Sequence, residues 1–176
     1  MKKVIQSIAI IVVGLFIMTG CRTGNGNIAY NAVLYNADNW INEDFANDNM
    51  IRNIHYYDDE HNEIIFTNDE SYPSSRTFIV ENLEDYDKIF INNINELDVD
   101  FNKQMLIVYT FMAISRKKLT LVSTDLQDKK LKITYKSISK AGVGDTCMPY
   151  QRWIVIKQDK VEVESVEFVS KIEFVN

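Results

Sequence analysis

The sequence predicts a mainly β (α+β) protein: an antiparallel sandwich or curled barrel with one amphipathic helix packed on it. Three observations lead there. Seven or more short segments are rich in Val, Ile, Tyr and Phe, or alternate apolar with polar residues at the period of a strand. Only one stretch, Leu83–Asn93, carries apolar side chains at three- and four-residue spacing behind a capping residue. Gln104–Met112 is an almost continuous apolar run, which suits a strand covered on both faces.

Taken in order, Ile28–Tyr35 reads as a strand. Asp38 is placed to cap a short helix carrying Trp40, Ile41 and Phe45. Tyr56–Asn62 reads as a turn ahead of a strand, Glu63–Thr67. Asn68–Ser75 is polar, contains Pro73 and reads as loop. Arg76–Val80 is a short strand. Asn82 then caps the helix Leu83–Asn93, with Glu84 and Asp85 in the first turn, where carboxylates favour the helix dipole. Asp98–Asn102 links this helix to the run Gln104–Met112. Lys118–Leu126 and Leu131–Ser137 alternate on either side of the polar turn Gln127–Lys130 and form a hairpin. Ser139–Pro149, with Gly142 and Gly144, reads as loop. Gln151–Ile156 is a strand, Val161–Val169 alternates Val with Glu, and Ile172–Val175 ends the sheet. Phe101, Leu106, Val108, Leu121, Ile133, Ile154 and Ile156 are the expected core.

Ahead of this domain the chain has a different character. Met1-Lys2-Lys3 is basic, Ile8–Met18 is almost wholly apolar, and Thr19-Gly20-Cys21 follows. That is the layout of a secretory signal peptide. The run falls short of the roughly 20 apolar residues that a membrane-spanning helix needs. A cysteine directly after Met-Thr-Gly resembles a bacterial lipobox. The resemblance implies cleavage before Cys21, acylation of its thiol, and a protein held on the extracytoplasmic face of the cell envelope by lipid. The expected organisation is a leader at 1–20, a lipidated polar tether at 21–27 and a single globular domain at 28–176. Within that domain an Asn- and Asp-rich part, 28–75, precedes a better patterned part, 76–176.

Composition narrows the partners. The chain has 176 residues, with 19 Lys+Arg against 25 Asp+Glu. Loss of Lys2 and Lys3 with the leader leaves 17 against 25, a net charge of −8. Nucleic acid is not an expected ligand, because phosphate binding needs clustered positive charge. Anionic lipid heads do not attract such a domain either, so the lipid on Cys21 has to provide attachment. Cys21 and Cys147 are the two cysteines. If Cys21 is acylated, Cys147 has no partner within the chain, and it is either a buried small hydrophobe or a reactive thiol.

A wider resemblance rests on the second half. The helix Leu83–Asn93 precedes Val99-Asp100-Phe101-Asn102-Lys103-Gln104-Met105-Leu106-Ile107-Val108. A hairpin and a Gly loop follow, and Pro149-Tyr150 leads into Trp153-Ile154-Val155-Ile156-Lys157. This order is similar to the C-terminal domain of PrcB-type lipoproteins, over about residues 77–158. The resemblance implies a module that associates with and stabilises a surface protease. Where that family carries a Gly-Gly pair at the end of its first long strand, this chain carries Ile114-Ser115-Arg116-Lys117-Lys118.

Several constellations bear on chemistry. His55, Asp58 and His61 are the best metal candidates, since imidazoles and carboxylates cluster within seven residues. Their spacing matches no familiar helical zinc motif, and a solvated acidic turn is the simpler reading. Cys147 with a histidine base would make a thiol hydrolase, but Met148-Pro149 opens no helix whose N-terminus would lower the thiol pKa. No serine elbow is present. Gly142-Val143-Gly144-Asp145 is too short for a dinucleotide fingerprint and reads as a turn. The loop around it concentrates Asp145, Tyr150, Arg152 and Trp153, and Arg, Tyr and Trp are the types enriched at binding hot spots. The expected partner edge is therefore Asp145, Tyr150 and Arg152, with Trp153 packed beneath.

The leading expectation is a lipid-anchored extracytoplasmic protein-binding module, non-catalytic and without cofactor, that stabilises or regulates a surface protease or another envelope complex. An envelope hydrolase or metal-dependent enzyme is the alternative, and an immunity or inhibitor lipoprotein a further one.

Overall fold

The computed structural model describes residues 31–92, 94, 96–140 and 148–175. Nine strands and two helices run through them in the order β1 (Val33–Asn36), α1 (Glu43–Asp48), β2 (His55–Asp58), β3 (Glu63–Phe66), β4 (Ser75–Val80), α2 (Leu83–Ile89), β5 (Gln104–Ala113), β6 (Leu119–Gln127), β7 (Lys130–Lys140), β8 (Tyr150–Asp159) and β9 (Ser165–Val175). The chain is mainly β, and no barrel closes. Four strands form an antiparallel sheet in the order β1-β8-β5-β4, three form a second sheet in the order β6-β7-β9, and β2 pairs with β3 alone.

β5 and β8 are the centre of the protein. They pair along their whole length, from Gln104↔Asp159 to Ala113↔Tyr150. Met105, Leu106, Ile107, Val108, Ile154, Val155 and Ile156 are fully buried, as a strand covered on both faces requires. The two-residue period of a strand then splits these side chains between two cores. Leu106, Val108, Trp153 and Val155 meet Val80, Ile89 and Phe90 on the helix side. Met105, Ile107, Ile154 and Ile156 meet Leu131 and Ile133 of β7 on the other side. The result is three layers: helices, four-stranded sheet, three-stranded sheet. Of the expected core, Leu106, Val108, Ile133, Ile154 and Ile156 are fully buried, while Phe101 and Leu121 are half-buried against the two clusters.

The second sheet begins as the expected hairpin. Asp128 and Lys129 turn the chain with φ of 48° and 61°, the positive values that a two-residue hairpin turn needs. β9 departs from the antiparallel expectation. It is one continuous strand and lies parallel to β7, from Lys130↔Ser165 to Lys140↔Val175. Parallel neighbours require a crossover. Here the crossover contains β8, which lies in the other sheet. Val161 and Val163, read from sequence as strand, pack against the core ahead of β9.

Local signals explain the remaining differences. Asn82 caps α2 as expected: its Oδ1 accepts the Asp85 amide at 2.9 Å, and its Nδ2 donates to Asp85 Oδ2 at 2.8 Å. The helix ends four residues early, at Ile89. Phe90 turns extended, with φ −108° and ψ 149°, and bridges Ile41. The Asn42 amide donates to Ile89 O, and the Ile91 amide to Trp40 O. This bridge also displaces the first helix. Trp40 and Ile41 lie ahead of α1, and Asn42, not Asp38, caps it by accepting the Asp44 amide at 3.0 Å. The expected turn Tyr56–Asn62 is the second half of β2 plus a tight tip, in which Asn62 has φ 53°. The expected first strand begins at Val33 among the described residues, and Ile28–Tyr30 lie outside them. β7 continues through Ser139 and Lys140, so the expected loop from Ser139 begins later.

Candidate functional site

Of the residues expected at a partner edge, Tyr150 and Arg152 meet at one end of β8, and Trp153 lies on the other face of that strand. Asp145, together with Gly142, Gly144 and Cys147, lies outside the described residues, as does Cys21. Arg152 and Trp153 are neighbours on β8, so they face opposite layers. Trp153 is 4% exposed and packs in the helix-side core, with Phe45 at 6.1 Å and Phe78 at 6.3 Å between ring centroids. That is its expected place as support. Arg152 is also 4% exposed, so it is no exposed contact residue. It sits opposite Phe111 of β5 and points between the two sheets.

What the fold does assemble there is a cationic end of the sandwich. The Ser115 carbonyl, just past β5, accepts Arg152 Nη1 at 3.3 Å and the Tyr150 hydroxyl at 3.4 Å. Arg116 stands over the Tyr150 ring, 5.9 Å from its centroid. Arg116, Lys118 and Arg152 line one cleft of about 280 Å³. The basic triplet was visible in the sequence, but its meeting with Arg152, 36 positions along from Arg116, depends on the pairing of β5 with β8. A more open hollow of about 500 Å³ lies beside α2. Its described lining runs from Leu83 and Tyr86 to Val99 and Phe101 and includes the Asp98 carboxylate.

A second surface comes from the β2–β3 hairpin. Its register pairs His55 with Phe66 and Tyr57 with Ile64, so these four side chains share one face. Tyr57, Ile64 and Phe66 are 55, 60 and 42% exposed. His55 stacks on Phe66 with ring centroids 4.4 Å apart, and the Tyr57 hydroxyl donates to Asn62 at the tip. Tyr56 and Ile65, on the opposite face, are half-buried. Thr67 ties the hairpin base to the body: its hydroxyl donates to Ile51 O at 2.7 Å and accepts the Ile54 amide at 3.2 Å. The His55 amide donates to Pro149 O at 2.9 Å. Sequence reading missed this face because it took Tyr56 and Tyr57 as turn. The pattern Tyr-Tyr-Asp…Glu-Ile-Ile-Phe was the available sign of a hairpin.

The metal candidates lie on the same hairpin but apart. His55 is at its base and His61 at its tip, where Nδ1 meets Asp58 Oδ2 at 2.8 Å. That hydrogen bond holds the Asp58 carboxyl below its ordinary value of 3.8. Among the described residues no group of three or more His, Cys, Asp or Glu side chains is arranged to hold a metal ion. No helix among them is long and apolar enough to cross a membrane. Searches of protein-family models, of curated proteins and of solved structures find no match to the chain.

Proposed function

We propose that the chain is a lipid-anchored, extracytoplasmic protein-binding module that acts by holding a partner at the membrane. The observation that carries this reading is the apolar hairpin face of Tyr57, Ile64 and Phe66. Three large apolar side chains on one face of a two-stranded hairpin form the kind of patch that marks a protein contact. The partner class that the PrcB resemblance adds is a surface protease or its complex. The leader, Cys21 and the polar tether support the membrane location.

The test uses the full lipidated chain. A Tyr57→Thr, Ile64→Thr double variant should keep the wild-type circular dichroism, since both side chains are more than half exposed and threonine suits a strand. It should lose the envelope protein that crosslinks to a photoreactive group placed at Phe66. Cys21→Ala should move the protein from the membrane to the soluble fraction and abolish labelling by a fatty-acid analogue. Undiminished crosslinking in the double variant would refute the hairpin as the contact, and unchanged labelling of Cys21→Ala would refute the anchor.

A further inference from the structure

We propose that the cleft between β1, β6 and β8 binds a small oxyanion ligand, carboxylate or phosphate, with Arg152 as its anchor. The inference is independent of the hairpin and of the identity of any protein partner.

Arg152 carries the argument. Its guanidinium stays charged at any ordinary pH. Removing such a charge from water costs several kcal/mol unless it is paired. Arg152 is 4% exposed, yet among the described residues its hydrogen-bond partner is one neutral carbonyl, Ser115 O at 3.3 Å, and its buried Nε has none. No carboxylate among the described residues makes an ion pair with it. A guanidinium is a planar fork of donors suited to two oxygens of one anion, and here its Nε has no partner among the described residues.

The surroundings make the deficit larger. Arg116 and Lys118 line the same cleft and also make no ion pair with a carboxylate among the described residues. Three cations converging on about 280 Å³ repel one another, in a domain whose overall balance is strongly acidic. An anion between them would attract all three and offset that repulsion. The remaining lining, Leu34, Leu119 and Ile154 with the Asn36 amide, is apolar with one further polar group. That combination fits an oxyanion head on a compact apolar body.

The experiment titrates the full chain in lipid nanodiscs with sodium phosphate and with sodium butyrate, against sodium chloride at matched ionic strength. The Arg152 Nε–H resonance and the melting temperature are the readouts. At least one of the two anions should shift the Nε–H resonance saturably and raise the melting temperature. The Arg116→Gln, Lys118→Gln variant alters exposed side chains only. It should keep its fold and bind about tenfold more weakly, as expected for the loss of charge-assisted contacts. Arg152→Met, which has no such resonance, should show no rise in melting temperature with either anion. If Arg152→Met fails to fold, the double variant still decides the matter. Phosphate binding would place the ligand among phosphorylated molecules, and butyrate binding among carboxylates. The proposal is overturned if neither anion gives a saturable shift, if the double variant binds as tightly as the wild type, or if binding appears only once Asp145 is changed to Asn. The last result would make Asp145 the resident anion.

Discussion

The carboxylate of Asp38 accepts the backbone amide of Trp153 at 2.7 Å, joining residues 115 positions apart. The contact lies where β1 parts from β8. The last strand pair is Asn36↔Ile154. One step further the Ala37 amide donates to Trp153 O at 3.0 Å, and the Asp38 side chain takes the Trp153 amide. A side chain thus replaces the next backbone acceptor, so the chain can turn away into Trp40 and Ile41 without leaving the Trp153 amide unmet.

Asp38→Ala removes that acceptor. Leaving a buried donor without a partner costs about 1–3 kcal/mol. Urea unfolding should show a loss of this size with an unchanged slope, and Asp38→Asn, which keeps a carbonyl oxygen, should lose less. An Asp38→Ala variant as stable as wild type would mean that water reaches the Trp153 amide.

Gln158 invites the opposite change. It is fully buried in β8, and among the described residues neither Nε2 nor Oε1 has a hydrogen-bond partner. A buried amide in that state is a standing cost, whereas an apolar side chain of similar shape has none. Gln158→Met should therefore raise stability by about 1–3 kcal/mol. A drop in stability would show that bound water satisfies the amide.

The two cores set the scale for large losses. Leu106 is fully buried between Val80 and the helices, so Leu106→Ala should cost about 2–5 kcal/mol. Leu83, at the start of α2, is 62% exposed, and Leu83→Ala should change stability by about 0.5 kcal/mol or less. Comparable losses at both positions would contradict the layer assignment of β5.

What could be foreseen was local. The unbroken apolar run of β5, the Asn82 cap and the polar turn at Asp128 and Lys129 each act within about ten residues, and each lies where sequence reading placed it. The misreadings share a different cause. Asp38 is a plausible cap until Trp153 competes for its carboxylate. Phe90 continues a helical period until Ile41 bridges it. Val161 and Glu162 alternate like a strand, but β9 starts only where it meets Lys130 of β7. Arg152 reads in sequence as an exposed edge residue, and the covering of β8 on both faces places it between the sheets instead. Long-range pairing decided these cases, and a single sequence carries little trace of it.

Alkaline pH should expose the core around Tyr135. Its ring lies between the sheets, 5.8 Å from Phe111 and 6.4 Å from Phe168 between centroids. Burial, reinforced by nearby Tyr109, pushes its hydroxyl from the ordinary 10.0 up to about 12, against the opposing effects of the Ser170 hydrogen bond and the Arg152 charge. The folded state therefore holds this proton where the unfolded chain has released it. Stability from this group is complete below pH 10 and is lost as pH rises from 10 toward about 12. The loss should be on the order of 3 kcal/mol, since each unit of pKa difference is worth about 1.4 kcal/mol. Tyr109 and Tyr86 are raised by burial too and add to the same slope. Urea unfolding across this range, with phenolate absorbance followed in parallel, should give a steeper decline for wild type than for Tyr135→Phe. If the two decline in parallel, Tyr135 is not the linked group, and the loss belongs to Tyr109 and Tyr86.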